Sequence, residues 1–453
     1  MGNFSPIIAA LRTCASQYYR SVMLIRVLCL LSAGVLLAQP AADPKDTARK
    51  AVDLLLAHKY SDLGPLISEK SKAANTDAEL AKKVSDAWGP VQSIGAATVR
   101  SLGTASMVTI PVKFASQEVS YEVSVNAEGQ IGLIIPRADP WKHPAYSKPD
   151  SFKEREVTVG TQWKLGGTLT VPNGAGPFPG IVLVHDTGQA DRDEQNGSVK
   201  IFKDLAEGLA SKGVVVLRYE KRTRAYPSTT QKEDYTAEAE IIDDAVLAAG
   251  VLRAQPEVKP GRVFALGFGF GGYLLPRVAE ADGKLAGMII VNGNERPLED
   301  LALDEMMYVD EDQEKTLTGP KLEQWHRQMA VIREQAAKIK KMTQGDSDTS
   351  PLLGMKGAYL LDLKGYDPAG QAKLLKVPML VLQGERDYQV NMKDFAAWKT
   401  GLVGLPNVSL KSYPALDHLL VEGTGRSSST DYRKPGQHVS QEVVDDVAKW
   451  VSQ

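Results

Sequence analysis

A glycine-rich turn from Gly267 to Gly272 (GFGFGG) follows a strand-length apolar run and leads directly into a helical pattern. Strand, tight turn and helix is the context of a nucleophile elbow, G-x-S-x-G, whose central side chain attacks a carbonyl carbon. Gly267 and Gly271 fill the flanking positions, where a missing side chain lets the strand and helix approach closely. The central position holds Gly269 instead of serine. The turn therefore predicts an elbow with a degenerate nucleophile position.

The same residues also match the dinucleotide-binding pattern G-x-G-x-x-G, through Gly267, Gly269 and Gly272. That motif usually opens its domain and is followed, about 20 residues on, by an acidic residue at the end of the next strand. Here three strand-like runs come before the motif, and the acidic residue that follows the next run, Glu295, comes late. Dinucleotide binding is the alternative from another class of function.

An acidic residue and a histidine follow two later strand-like runs. Asp387 lies on the turn after the run from Met379 to Leu382, and His418 lies in the apolar loop after the run 408–413. Elbow, acid and histidine is the chain order of α/β-hydrolases. We therefore predict that Asp387 and His418 form a catalytic pair beside Gly269.

The turn after Val184 reads His185-Asp186-Thr187-Gly188. In α/β-hydrolases this turn supplies one backbone N–H of the oxyanion hole, and the residue after the nucleophile supplies another. These rules predict an oxyanion site at Asp186, Thr187 and Phe270. A carboxylate at position 186 would oppose the negative charge that develops during acyl transfer, if it faced the site.

Continuous apolar runs predict the strands that position these turns, because strands buried on both faces of a parallel sheet lack alternation. The runs are 181–184, 214–217, 263–266, 288–291 and 379–382, and helical patterns at 199–212, 233–254, 272–279, 393–402 and 440–452 separate or follow them. The fold class predicted for 154–453 is a doubly wound, mostly parallel α/β sheet. The long connection 297–376 predicts a helical cap insertion.

Upstream of this unit, residues 44–137 predict a small α+β domain. Helical spacing at 46–56 and 77–88 precedes β-like runs at 96–102, 106–114, 119–125 and 131–136, whose alternation favours an antiparallel sheet. Residues 138–153 include a Pro-rich joint and are predicted as a linker.

The first 38 residues predict a secretory signal peptide. Arginines precede the apolar run 27–38, no acidic residue comes before Asp43, and the run is too short for a membrane span of about 20 residues. Met23 is an alternative start, and cleavage after Ala38 would remove both cysteines, Cys14 and Cys29. We predict a secreted or periplasmic protein that keeps no membrane span after cleavage.

The overall charge and the histidine spacing exclude several classes of partner. With 53 Lys and Arg against 55 Asp and Glu, the net charge of −2 provides no basic surplus for nucleic acid. The six histidines form no pair with metal-ligand spacing, and no P-loop is present, so neither a metal nor another cofactor is implied.

Several longer strings carry a family resemblance. From about residue 154 the chain resembles secreted α/β-hydrolases of the dienelactone hydrolase and acyl-ester hydrolase type, and 44–137 resembles a small domain of unknown function found ahead of such hydrolases. The strings are HDTGQADRDE, LRYEKRT, NGNERPLED, YLLDLKGYDP, LQGERDYQV and ALDHLL.

The resemblance implies a Ser, Asp, His triad and small ester or acyl-like ligands, but of the triad only Asp387 and His418 carry over. Three functions remain open at this point. The protein could bind an acyl or ester-like molecule without serine catalysis, or hydrolyse one through water activated by the His418 and Asp387 pair or through another hydroxyl such as that of Thr187. The third is an interaction module.

Overall fold

The computed structural model describes residues 43–453 except 77–79, 81–87, 103–104, 116–117, 139–140, 228–234, 348–349, 430 and 435. The described chain divides into two compact units, one ending at Lys142 and one spanning His143–Gln453. The predicted signal peptide and both cysteines lie outside the described residues, as does most of the predicted helix 77–88. No helix among the described residues is long and apolar enough to cross a membrane.

The N-terminal unit packs a helix on an antiparallel sheet. Helix α1 (Pro44–Leu56) begins after Asp43, whose side chain accepts a hydrogen bond from the backbone of Lys45, and the short helix α2 (Tyr60–Leu63) follows. The strands are β1 (Val91–Ile94), β2 (Thr98–Leu102), β3 (Ala105–Phe114), β4 (Glu118–Val125) and β5 (Ile131–Ala138). β3 lies at the centre, paired with β1, β2 and β4, and β4 pairs with β5. Strand β1 was not predicted from the sequence.

The second unit is built on an eight-stranded sheet in the order β15-β14-β13-β12-β8-β11-β7-β6. The strands are β6 (Phe152–Val159), β7 (Leu165–Pro172), β8 (Phe178–Val184), β11 (Val215–Tyr219), β12 (Val258–Phe268), β13 (Gly287–Val291), β14 (Met379–Gly384) and β15 (Val408–Tyr413); β9 (Gln195–Asn196) and β10 (Val199–Lys200) form a separate short ladder. The six strands from β15 to β11 in this sheet order, which include β8, pair in parallel. The predicted fold class is confirmed.

The first two strands of this sheet form an antiparallel hairpin that the sequence did not predict. β6 lies at the edge, where its middle residues are exposed, and the apolar run of β7 is interrupted by glycine and threonine. Neither strand therefore carries the continuous apolar signal that marks the central strands. β6 also begins inside the range predicted as a linker. Before it, Tyr146 already donates a hydrogen bond to the carbonyl of Val439, 2.8 Å away.

Helices cover both faces of the sheet, and a separate apolar cluster fills the space on each face. They are α3 (Ile201–Ala210), α4 (Arg222–Ala225), a π-helical turn (Glu238–Ile242) that continues into α5 (Asp243–Arg253), α6 (Phe270–Asp282), α11 (Met392–Gly401) and α12 (Gln441–Ser452). Between β13 and β14 the insertion contains α7 (Leu298–Thr316), α8 (Pro320–Lys341), α9 (Gly357–Leu363) and α10 (Pro368–Leu374). This helical insertion is the segment predicted as a cap.

Candidate active site

The glycine turn between β12 and α6 has the backbone of a strained elbow. Gly269 lies at φ +52° and ψ −118°, a conformation that side chains with a Cβ rarely adopt. A Cβ on Gly267 would lie 2.4 Å from the carbonyl oxygen of Gly271, and one on Gly271 would lie 2.3 Å from that of Val184. The flanking glycines are therefore required by close backbone contact, as the motif predicts.

The side chain of Asp186 occupies the space where an elbow nucleophile would begin. A Cβ on Gly269 would lie 2.3 Å from Asp186 Oδ1 and 2.4 Å from its carboxyl carbon. Real Cβ atoms essentially never come so close to another atom. Asp186 in its present position therefore requires glycine at position 269.

The same carboxylate uses the backbone donors of the predicted oxyanion site. Asp186 Oδ1 accepts a hydrogen bond of 2.7 Å from the N–H of Phe270, the residue after the elbow centre. The N–H of Thr187 also lies close enough to the Asp186 carboxyl to lower its pKa. A carboxylate belonging to the protein thus binds where the oxyanion of an acyl-transfer intermediate would lie.

His418 lies between two carboxylates. Its Nδ1 is 2.7 Å from Asp387 Oδ2, and its Nε2 is 3.4 Å from Asp186 Oδ2. Asp387 Oδ1 accepts hydrogen bonds from the backbone N–H groups of Gln389 and Val390, at 2.8 and 2.9 Å, which fix the carboxylate. The side chains of Asp387 and His418 are almost fully buried, whereas that of Asp186 is 18% exposed.

The charges of this array favour a protonated histidine. Burial alone would lower the pKa of His418, but Asp387 and Asp186 together raise it well above its usual range. Burial would likewise raise the pKa of the Asp186 carboxyl, yet the His418 hydrogen bond and the two backbone N–H donors lower it. Burial also raises the pKa of the Asp387 carboxyl, against the lowering effect of His418 and of two backbone N–H donors. The two flanking carboxyls together favour an imidazolium whose Nε2 carries a proton.

Two residues that position the site were not predicted from the sequence. Asn292, just after β13, adopts φ +48° and links the loops that carry Asp387 and His418. Its Oδ1 accepts from the N–H of Gly384 at 2.8 Å, and its Nδ2 donates to the carbonyl of His418 at 2.8 Å. Lys221 donates from Nζ to the carbonyl of Asp186 at 2.7 Å. Both residues lie within strings that carry the family resemblance, NGNERPLED and LRYEKRT. Membership in these strings was the sequence signal that could have pointed to them.

The helical insertion approaches the site from outside the sheet. The ring of Tyr359 on α9 lies 6.4 Å from that of Phe270, and its hydroxyl donates to Glu240 at 2.8 Å. A cleft of about 600 Å³ lies between α7 and the loop after β14, with Tyr308, Arg386 and Asp387 in its lining. Clefts of roughly 300–1,000 Å³ are typical of small-molecule sites.

The structure thus brings Asp186, Phe270, Asp387 and His418 together around Gly269, and it places the N–H of Thr187 on the Asp186 carboxylate. Within the described part of the chain, no group of three or more His, Cys, Asp or Glu side chains has the arrangement of a metal site.

Comparison with known proteins identifies relatives of this chain. Residues 165–309 match the model of the dienelactone hydrolase family. Over 344 residues, 75% of this chain and 78% of the relative, the sequence is 38% identical to esterase EstD of Thermotoga maritima. The chain belongs to the dienelactone hydrolase family.

Further similar proteins match this chain at lower identity. The human mitochondrial acyl-coenzyme A thioesterase 2 is 30% identical over 158 residues, 34% of this chain and 28% of that protein. Among solved structures, the acylaminoacyl peptidase of Pyrococcus horikoshii superposes with a TM-score of 0.44 and 14% identity, covering 80% of this chain and 56% of the peptidase.

Proposed function

We propose that this dienelactone hydrolase family protein binds small ester-like or acyl-like molecules at the His418 array without forming an acyl-enzyme on an elbow hydroxyl. The observation that carries the proposal is the position of Asp186, whose carboxylate fills the nucleophile space at Gly269 and accepts the Phe270 N–H. In serine proteases, removing the triad serine costs roughly 10⁶ in kcat, because the triad residues act as a unit, and the oxyanion hole and substrate binding leave only about 10³–10⁴ over water.

The array also argues against direct activation of water by His418. A general base must present an unprotonated nitrogen to the water, and the pKa of His418 is raised well above its usual range by the two carboxylates. Nε2 also faces Asp186 Oδ2 at 3.4 Å, on the side from which a water would have to approach. The proposal for the resting protein is therefore recognition of a neutral small molecule, supported by the esterase relative and by the helical insertion beside Phe270.

The test compares the wild type with a chain in which the two exchanged positions are restored together. A fluorophosphonate probe should leave the wild type unlabelled, and p-nitrophenyl butyrate should bind it saturably in equilibrium dialysis without being consumed. The double variant Asp186→Gly/Gly269→Ser should react with the probe at position 269, because it regains both a hydroxyl and empty oxyanion donors. Gly269→Ser alone should react far less, because the carboxylate that the new Cβ displaces still lies beside the site and opposes the negative charge of the oxyanion.

Each part of the proposal has an outcome that contradicts it. Probe labelling of any wild-type serine or threonine would show that hydroxyl chemistry persists. Absence of saturable ester binding would show that the site does not recognise this class of ligand.

A further inference from the structure

We propose that Asp186 is itself a covalent nucleophile, and that its substrates are small epoxides, which the site opens and hydrolyses to diols. This inference rests on the part of the proposed function that assigns the site to neutral small molecules without an elbow hydroxyl. It adds a reaction that the carboxylate, the imidazolium and the backbone donors could perform together.

The orientation of Asp186 separates the roles of its two oxygens. Oδ1 is held by the N–H of Phe270 at 2.7 Å, while Oδ2 faces Nε2 of His418 at 3.4 Å, the longer of the two contacts. The side chain is 18% exposed, so a small molecule can reach it. Carboxylates are established nucleophiles in enzymes, where they form ester intermediates.

The chemistry of a carboxylate selects the electrophile. Attack on an ester carbonyl would produce an anhydride and expel an alkoxide, which is far more basic than the attacking carboxylate and would return. Attack on a saturated carbon instead produces an ordinary ester. An epoxide offers such a carbon, and relief of ring strain drives the opening.

The first step uses the proton that the array already holds. Asp186 Oδ2 forms a bond to an epoxide carbon, the ring C–O bond breaks, and the resulting alkoxide takes the Nε2 proton of His418. The products are a hydroxyalkyl ester of Asp186 and a neutral imidazole. Loss of the Asp186 charge also removes one of the two interactions that raise the pKa of His418, so the histidine becomes a usable base.

The second step uses the former oxyanion donors on the protein's own ester. Neutral His418 takes a proton from water, whose oxygen adds to the ester carbonyl carbon, and negative charge develops on Oδ1. The N–H groups of Phe270 and Thr187 already point at the Asp186 carboxylate and stabilise that charge. Collapse breaks the ester C–O bond, the diol oxygen takes the carboxylic proton, and the Asp186 carboxylate and the His418 imidazolium are restored. The sum is epoxide plus water giving diol.

The experiment uses the full chain, styrene oxide and water enriched in ¹⁸O. With enzyme in excess, one turnover should place ¹⁸O in the Asp186 carboxylate, since water adds to the ester carbonyl and not to the substrate carbon. Trypsin releases 165–192 as one peptide, which also contains Asp191. Asp191 is therefore an internal control that must stay unlabelled in the fragment spectrum.

Two variants test the roles of His418 and Asp186. His418→Gln removes both the acid of the first step and the base of the second, so diol formation should slow by at least about 10²–10⁴, the usual contribution of a general acid or base. Asp186→Asn should form neither adduct nor diol, and its circular dichroism should match that of the wild type if it is folded.

The outcomes distinguish this inference from the proposed function. Label at Asp186 in the wild type supports the inference. No label and no diol overturns it, as does label at Asp191 or an adduct on a hydroxyl. Fluorophosphonate labelling of the wild type would instead overturn the proposed function, whereas an unlabelled protein that also ignores styrene oxide would refute the epoxide reaction alone.

Discussion

Gly269→Ser should destabilise the protein by more than its backbone strain alone, and the chain contains a matched control for that strain. Gly319 adopts φ +56° and ψ −139° at the N-cap of α8, close to the φ +52° and ψ −118° of Gly269 at the N-cap of α6. A Cβ on Gly319 would meet nothing within 4 Å, whereas one on Gly269 would meet Asp186 Oδ1 at 2.3 Å. The two serine substitutions therefore differ mainly in the displacement of Asp186.

The expected magnitudes follow from these contacts. Gly319→Ser should cost about 1–3 kcal/mol, the usual strain of a side chain in this backbone region. Gly269→Ser should cost roughly 2.5–6 kcal/mol, because the displaced carboxylate also loses a charged hydrogen bond to Phe270 worth about 1.5–3 kcal/mol. Adding Asp186→Gly to Gly269→Ser should then cost little more, because the carboxylate has already left its place.

Urea melts of the wild type, the three single variants and the double variant would complete this cycle. The unfolding slopes must agree before the free energies are compared. The reasoning would be refuted if Gly269→Ser cost no more than Gly319→Ser, or if the effects of Asp186→Gly and Gly269→Ser added fully.

Two further predictions concern pH and export. The pKa of His418 is raised in the folded protein, so protonation of this histidine stabilises the fold. This stability is fully present below the pKa of the unfolded chain, about 6.5, and is lost as the pH rises through the pKa of the folded protein. The unfolding free energy of the wild type should therefore fall above about pH 6.5. Asp186→Asn removes one of the two carboxylates that raise the pKa of His418, so the fall should end at a lower pH in this variant. Identical urea-melt profiles of the two proteins from about pH 5 to 9 would contradict that role. We also propose that the leader is removed on export, so that N-terminal sequencing of the exported protein begins at or near Gln39; an intact Met1 or Met23 would contradict this.

The central fold could be predicted because the core strands carry a simple signal. Runs such as 181–184 and 379–382 are buried on both faces, so hydrophobicity alone marks them. The hairpin β6-β7 could not be found in this way, since β6 is an edge strand whose apolar content is low. Its stability comes from pairing with β7, which is a property of the assembled sheet.

The candidate site was predictable in its chain order but not in its contacts. Asp387 and His418 follow adjacent parallel strands, so their proximity follows from topology. The position of Asp186 depends instead on how the turn after β8 packs on the elbow. That contact joins Asp186 and Gly269, which are 83 positions apart in the sequence. The sequence showed two separate departures from the family pattern, and only the structure shows that they occupy one volume.

This shared volume also sets an order of evolutionary events. If the ancestor carried the serine that the family resemblance implies, an aspartate at position 186 could not have taken its present place while any Cβ remained at position 269. Loss of the nucleophile therefore came before, or together with, the seating of Asp186. Once the Asp186 carboxylate was hydrogen-bonded to the Phe270 N–H, a serine at position 269 would have displaced it. Restoring the ancestral chemistry therefore requires coordinated substitutions at positions 186 and 269. With Asp186 and Gly269 in place together, a single change at position 269 cannot fully restore serine chemistry.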